Sequence, residues 1–317
     1  MAVLVGCAAC ADPGTGPLTG PNDVCAASGT DHTGAITASE TWHRGDGPHH
    51  VTGALTVGDD PDATLTIEAG TRVCFAPGAS ITMVGSAVPR PGGGFEPARG
   101  GALVALGAED ATITFTAADP TARWGGITIS QLAGGSLLSH AVVEYATTGV
   151  VAEGPIDIEN TVIRQITGIG VVYGYYNVEG RIADTVVDSA GLDGSHALYM
   201  EGGTLERTVI RGSGGAGLVV AARYARVRVS GCGVYGNKGD GILVTFRTES
   251  TVPINDCNLE GNGGPGVRND SEIEVDARRN WWGDPAGPHG PAGDGVAGPV
   301  DVRDFRTRPV TGIGLFQ

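Results

Sequence analysis

An all-β solenoid is the fold this sequence predicts: a right-handed parallel β-helix of short strands, capped at both ends. Three observations predict it. A short phrase returns every twenty to twenty-five residues, as Asn160-Thr161-Val162-Ile163-Arg164, Asp184-Thr185-Val186-Val187-Asp188, Arg207-Thr208-Val209-Ile210-Arg211, Gly231-Cys232-Gly233-Val234-Tyr235 and Asp256-Cys257-Asn258-Leu259-Glu260. A Gly-x-Gly-apolar unit returns in step with it. No segment carries the sustained 3.6-residue apolar period of a helix.

Taken in chain order, residues 1–30 read as a truncated lipoprotein signal followed by a Gly/Pro-rich tether. Residues 31–283 read as the β-helix with its N-terminal cap, and residues 284–317 as a Gly/Pro-rich tail packing back on it. The first coils are written in alternating, β-branched runs: Ala54-Leu55-Thr56-Val57, Thr64-Leu65-Thr66-Ile67, Ser80-Ile81-Thr82-Met83, Thr112-Ile113-Thr114-Phe115 and Gly126-Ile127-Thr128-Ile129. Beyond them the repeat becomes regular. Val143, Ile163, Val187, Ile210, Val234 and Leu259 form one column, with offsets of 20, 24, 23, 24 and 25 residues. Two positions upstream lies a second column, Ala141, Thr161, Thr185, Thr208, Cys232, Cys257 and Ala277. Residues i and i+2 of a strand share a face, so both columns are expected inside.

The units Gly168-Ile169-Gly170-Val171, Gly215-Ala216-Gly217-Leu218, Gly239-Asp240-Gly241-Ile242 and Gly264-Pro265-Gly266-Val267 mark corners, where glycine can supply positive φ. Asn237 and Asn262 are expected to stack coil on coil as a hydrogen-bonded ladder. Parallel crossovers are strongly biased to the right hand, which sets the expected hand of the coil. Residues 31–50 with Trp42 are expected to close the upper end, and Trp281 with Trp282 to plug the lower one.

Several segments resemble a known family. Leu65-Thr66-Ile67-Glu68-Ala69-Gly70-Thr71, Ile113-Thr114-Phe115-Thr116-Ala117 and Trp124-Gly125-Gly126-Ile127 look like the opening coils of bacterial right-handed parallel β-helix repeat proteins, the pectate-lyase-like superfamily. Asn280-Trp281-Trp282-Gly283-Asp284-Pro285-Ala286-Gly287-Pro288 resembles the segment closing the last coil in that group. The resemblance spans about residues 41 to 305. It implies carbohydrate binding or processing as the commonest theme, although many members are scaffolds, and fold alone does not license an activity.

Composition narrows the partners. With 35 acidic against 20 basic residues, the formal charge is −15, which repels phosphate backbones and argues against nucleic acid. Leu4-Val5-Gly6-Cys7 matches a bacterial lipobox, so Cys7 is the expected lipidation site, with the tether from Asp12 to Asn22 behind it. No stretch approaches the roughly 20 apolar residues that span a bilayer. The protein is therefore expected outside the cytoplasm of a bacterium, held to the membrane by a lipid anchor only. Six cysteines suit an oxidising compartment. Cys25 and Cys74 flank the first coil and are candidates for a disulfide. Cys232 and Cys257 sit in one inward column on adjacent coils, close enough either to pair or to stack as small buried thiols.

Chemistry in this superfamily lies on an outward strand face. One outward column reads Glu144, Arg164, Asp188, Arg211, Tyr235, Glu260; another reads His140, Asn160, Asp184, Arg207, Gly231, Asp256, Asp276. A polysaccharide lyase needs clustered carboxylates for Ca²⁺ and a basic residue to take the proton beside a uronate carboxylate. Asp184, Asp188, Arg207 and Arg211 are the nearest match. Their alternation in sign reads more simply as a charge ladder between coils. No paired aspartates for an inverting hydrolase occur in the regular coils. His43, His49 and His50 lack a partner at ligand-like spacing, so no metal site is expected. Val142, Val162, Val186 and Val209 form an outward apolar strip, which the tail strand near Val300 is expected to cover. The expectation leans against catalysis and needs no cofactor: a β-helix scaffold or binding module for polysaccharide or a cell-envelope partner. A divergent Ca²⁺-dependent lyase of uronic-acid polymers is the alternative.

Overall fold

Each coil bends at residues that tolerate a left-handed backbone, and between those bends lie three short strands. The computed structural model describes residue 25 and residues 28–58, 62–86, 99–174, 180–223 and 225–313. Cys7 and the tether lie outside the described residues. One representative turn holds Ile156–Glu159, Val162–Arg164 and Val171–Tyr173. Each strand pairs in parallel with its counterpart one turn on, Ile158 with Ile182, Ile163 with Val187 and Val171 with Leu198. Three ladders result, here called first, second and third in the order the chain visits them. The chain is a right-handed parallel β-helix of about ten turns.

Alternation along the strands fills the interior with columns of like residues. In the first ladder Leu138, Ile158, Ile182, Leu205, Val229 and Ile254 stack in register. In the second, Val143, Ile163, Val187, Ile210, Val234 and Leu259 do so, and all six are fully buried. Thr161, Thr185, Thr208, Cys232 and Cys257 are equally buried. The register therefore falls as the alternation requires.

The first-to-second corner is one left-handed residue. Asn160, Asp184, Arg207, Gly231 and Asp256 have φ of 47°, 49°, 44°, 61° and 57°. Asn, Asp and Gly suit that backbone; Arg does not, and Arg207 stays there because the strands on both sides fix it. The next residue turns inward and donates to the carbonyl two positions back: Thr161 to Glu159, Thr185 to Ala183 and Thr208 to Glu206, at 2.8, 2.8 and 2.9 Å. Cys232 and Cys257 make the same bond through Sγ to Ser230 and Asn255, at 3.3 and 3.2 Å.

Four expectations need correction and one a refinement. The Gly-x-Gly units do not have positive φ; that role belongs to Gly212, Gly236 and Gly261 at the corner after the second ladder. The second glycine of each unit is required by close approach, since a Cβ on Gly217 or Gly241 would lie 2.8 or 2.6 Å from the carbonyl oxygen of the next coil. Next, Asn280 and not Ala277 follows Cys257: its Oδ1 accepts from the Cys257 amide at 2.8 Å, while Asn258 bridges to Trp281. The last coil is 23 residues on, and Ala277 falls on the first ladder instead.

Third, residues 31–50 lie at the upper end as part of the first turn itself. Thr30–Ile36 pairs in parallel with His49–Gly58 as the first turn, and Trp42 ends the strand Glu40–Trp42. Fourth, only Trp282 plugs the lower end, fully buried, because its neighbour Trp281 must point the other way and donates to Glu260 at 2.9 Å. Fifth, Val300–Asp301 does not cover the valine strip. It pairs with Val275–Asp276 as a last rung, and the chain beyond it runs back outside, where Val310 and Asn258 exchange hydrogen bonds of 2.8 and 2.9 Å.

Candidate functional site

The outward column of the second ladder stacks in register from Glu144 through Arg164, Asp188, Arg211 and Tyr235 to Glu260. Its charges alternate, and they meet. Arg164 holds Glu144 through Nε and Nη2 at 2.9 and 2.8 Å, and Thr116 Oγ1 donates to the same carboxylate at 3.0 Å. Arg211 holds Asp188 at 2.8 and 2.7 Å. Ser189 adds a hydroxyl to Asp188 at 2.8 Å.

The corner column does the same. Arg207 grips Asp184 bidentately through Nε and Nη2, at 2.7 and 2.6 Å. That hydrogen bond raises the Arg207 pKa above its already high ordinary value. Arg279, and not Asp276, takes the last corner, with φ of 59°, and meets Asp256 at 3.2 Å. Arg306 from the returning tail meets the same carboxylate. Partial burial pushes Asp256 up, but the hydrogen bonds from Arg306 and Arg279 outweigh it and hold its pKa down. Asp276 sits instead on the first ladder beside Asn255, its pKa lowered by the Arg278 hydrogen bond.

Asp184, Asp188, Arg207 and Arg211 therefore come together as two closed ion pairs. A lyase base must release its proton and take another, and a guanidinium clamped by a carboxylate is stabilised as the cation. Asp184 spends both oxygens on Arg207, and Asp188 divides its oxygens between Arg211 and Ser189, where a Ca²⁺ site would direct several at one point. Among the described residues no three His, Cys, Asp or Glu side chains converge as a metal set.

Sequence reading missed the pairs that flank this face. Arg181 on the first ladder donates to Glu206 at 3.0 Å and also meets Glu159, and Glu206 lies 3.5 Å from Arg207. Glu159–Arg181–Glu206–Arg207–Asp184 is thus one chain of charges across the corner. Glu159 and Glu206 each directly precede a corner residue and Arg181 lies three positions before one, a signal that carries meaning only once the coils are stacked. Arg268 with Asp240, at 2.7 Å on the third ladder, was missed for the same reason.

The cysteines separate into two kinds. Cys25 and Cys74 are joined, with Cα atoms 5.8 Å apart. Cys74 sits on the outward side of the second ladder, so the bond straps the segment before the helix to its first turns. Cys232 and Cys257 are free and fully buried, and burial pushes the Cys257 thiol pKa well up. At the upper end His49 donates from Nε2 to the His43 carbonyl at 3.0 Å. Its Nδ1 is thereby left to accept from His32 Nε2 at 2.9 Å. Both rings stack on Trp42, with centroids 5.0 and 4.0 Å away. His32 and His49 form this stack with Trp42, while His43 faces Glu68 and His50 faces Asp31.

The fold this geometry defines is a right-handed parallel β-helix. Residues 141–280 match the family model described as a right handed beta helix region. Among solved structures the chain is similar to pectate lyase Pel9A, at 12% identity and a TM-score of 0.42, covering 76% of this chain and 71% of that one. It is also similar to the periplasmic alginate epimerase AlgG, at 10% identity and a TM-score of 0.36, covering 86% and 76%. No curated protein sequence matches it. No site residue is carried over from either structure.

Proposed function

We propose that this protein is a non-catalytic, extracytoplasmic β-helix scaffold that presents its strand faces for binding, with polysaccharide or a cell-envelope component as partner. One observation carries the reading. The outward face nearest to a lyase pattern is closed by Arg–carboxylate pairs between coils, Arg207 bidentate on Asp184 and Arg211 with two nitrogens on Asp188 Oδ2. Such pairs brace a stack and leave no free base. The Cys25–Cys74 bond supports a location in an oxidising compartment. Lipidation of Cys7 would hold the scaffold at a membrane, and Cys7→Ser in the native host should then release it.

The test is an assay of uronate polymers with and without Ca²⁺, reading unsaturated products by ultraviolet absorbance. The scaffold reading expects none from the parent. It also expects Arg211→Ala to shift stability by no more than about 1 kcal/mol, as exposed ion pairs do. Ca²⁺-dependent cleavage that disappears in a folded Arg211→Ala protein would establish the lyase alternative instead.

A further inference from the structure

We propose that a groove on the outside of the first ladder, flanked by Arg226 and Arg228, binds an anionic polysaccharide; this rests on the binding-scaffold reading and gives that scaffold its ligand class. Five arginines along the regular coils are committed: Arg164, Arg181, Arg207, Arg211 and Arg268 each meet a carboxylate. The guanidinium groups of Arg226 and Arg228 have neither a carboxylate nor a hydrogen-bond partner among the described residues. Val227 between them is buried in the core, so the two flanking side chains leave the strand on the outward side. Their Cα atoms are then roughly 6–7 Å apart.

These two arginines line a groove of about 350 Å³, together with Ser250, Thr251 and Pro253 of the following coil. Ser250 contributes a hydroxyl sealed from solvent with no partner, a polar atom that the fold itself leaves unsatisfied. Two adjacent guanidinium groups repel each other, and in a molecule of formal charge −15 the absence of a countercharge beside them is unusual. An anion with two coplanar oxygens would relieve the repulsion, because the guanidinium fork matches carboxylate or sulfate in bidentate fashion. Pro253 and the Thr251 methyl give the groove an apolar side for the face of a sugar ring. Nucleic acid is disfavoured, since a duplex carries a charge every ~1.7 Å and the rest of this surface would repel it.

The experiment titrates the full chain with polygalacturonate, dextran sulfate and neutral dextran by calorimetry, at low and high salt. The groove predicts binding of at least one anionic polymer, weakened by salt, with neutral dextran inert. Binding of polygalacturonate alone assigns carboxylate, of dextran sulfate alone sulfate, and of both the shared anion chemistry. The double variant Arg226→Gln/Arg228→Gln should lose roughly tenfold or more in affinity. Arg308→Gln, an exposed arginine of the tail outside the groove, should bind as the parent does. Both groove positions are exposed, so circular dichroism of the double variant should match the parent. No binding of either anionic polymer by the parent, or equal binding by parent and double variant, overturns the groove. In the second case binding elsewhere leaves the scaffold reading standing. Cleavage of polygalacturonate, scored separately by unsaturated product, would overturn that reading instead.

Discussion

Cys232 and Cys257 occupy positions that threonine fills in the three coils above, and the reason is a shared hydrogen bond. Hydroxyl or thiol, each side chain donates to the carbonyl two residues back and seals the corner. Cys232→Thr should therefore stay within about 1 kcal/mol of the parent. Cys232→Val, of similar volume but without a donor, should lose more, and chemical denaturation of the two variants would separate them. His32 offers a second test. Burial, then the neighbouring His49, lowers its pKa below 6.5, against the opposing pull of Glu40 and Asp31. A lowered folded-state value means the fold prefers neutral imidazole. The stabilisation is then complete above the unfolded value and lost as pH falls below it. Melting temperature should drop between about pH 7 and pH 5, and His32→Phe should flatten that slope.

Strands and corners set the next scale, where two kinds of glycine behave differently. Gly236 has φ of 58° and nothing within 4 Å of an added Cβ, so its role is conformational. Gly241 meets the next coil, with the Gly266 oxygen at 2.6 Å and Asn262 Nδ2 at 2.9 Å. Asparagine tolerates the left-handed region, so Gly236→Asn should cost under about 1 kcal/mol. Gly241→Asn should cost roughly 1–3 kcal/mol or more, because the coils cannot separate without breaking the ladder. The asparagine ladder runs beside this corner. Asn237 donates to Asn262 at 2.9 Å, and Asn262 donates to Asp294 at 2.8 Å. Asp294 also receives the amides of Gly261 and Asn262, so it ends the column. Asp294→Ala should remove roughly 1–3 kcal/mol, read from the melt.

At the scale of the whole molecule, the β-helix is a one-dimensional stack whose ends need protection. Trp282 and the last rungs Val296–Ala297 and Val300–Asp301 cover the lower end. The upper end depends on the Thr30–Ile36 strand, the Trp42 stack and the strap from Cys25 to Cys74, which are 49 residues apart. A loop of that length corresponds to about 4 kcal/mol in the chain-entropy account. Each turn contacts only its neighbours, so the loss on reduction should be local. Hydrogen exchange after reduction should quicken in residues 30–75 and stay slow in residues 231–269. Uniform loosening would contradict a nearest-neighbour stack.

The period, the inward and outward faces, the asparagine ladder and the register of the buried threonine column were legible in the sequence. All of them follow from local alternation repeated at nearly constant spacing. The charge ladder was legible as a pattern of signs, because Glu144, Arg164, Asp188 and Arg211 lie one per coil. Its partners were not, since a pair such as Arg181 with Glu206 joins residues whose distance depends on the length of the coil between them. The same reason explains the last turn, where Asn280 and Arg279 took the places that spacing had given to Ala277 and Asp276. It explains too why Arg226 and Arg228 drew no notice: whether an arginine lacks a partner is decided by what the neighbouring coils bring beside it. The sequence by itself determined the solenoid, because repetition constrains side-chain direction. Only the tertiary structure decided which outward charges neutralise one another and which stay open, because that is settled across coils rather than along the chain.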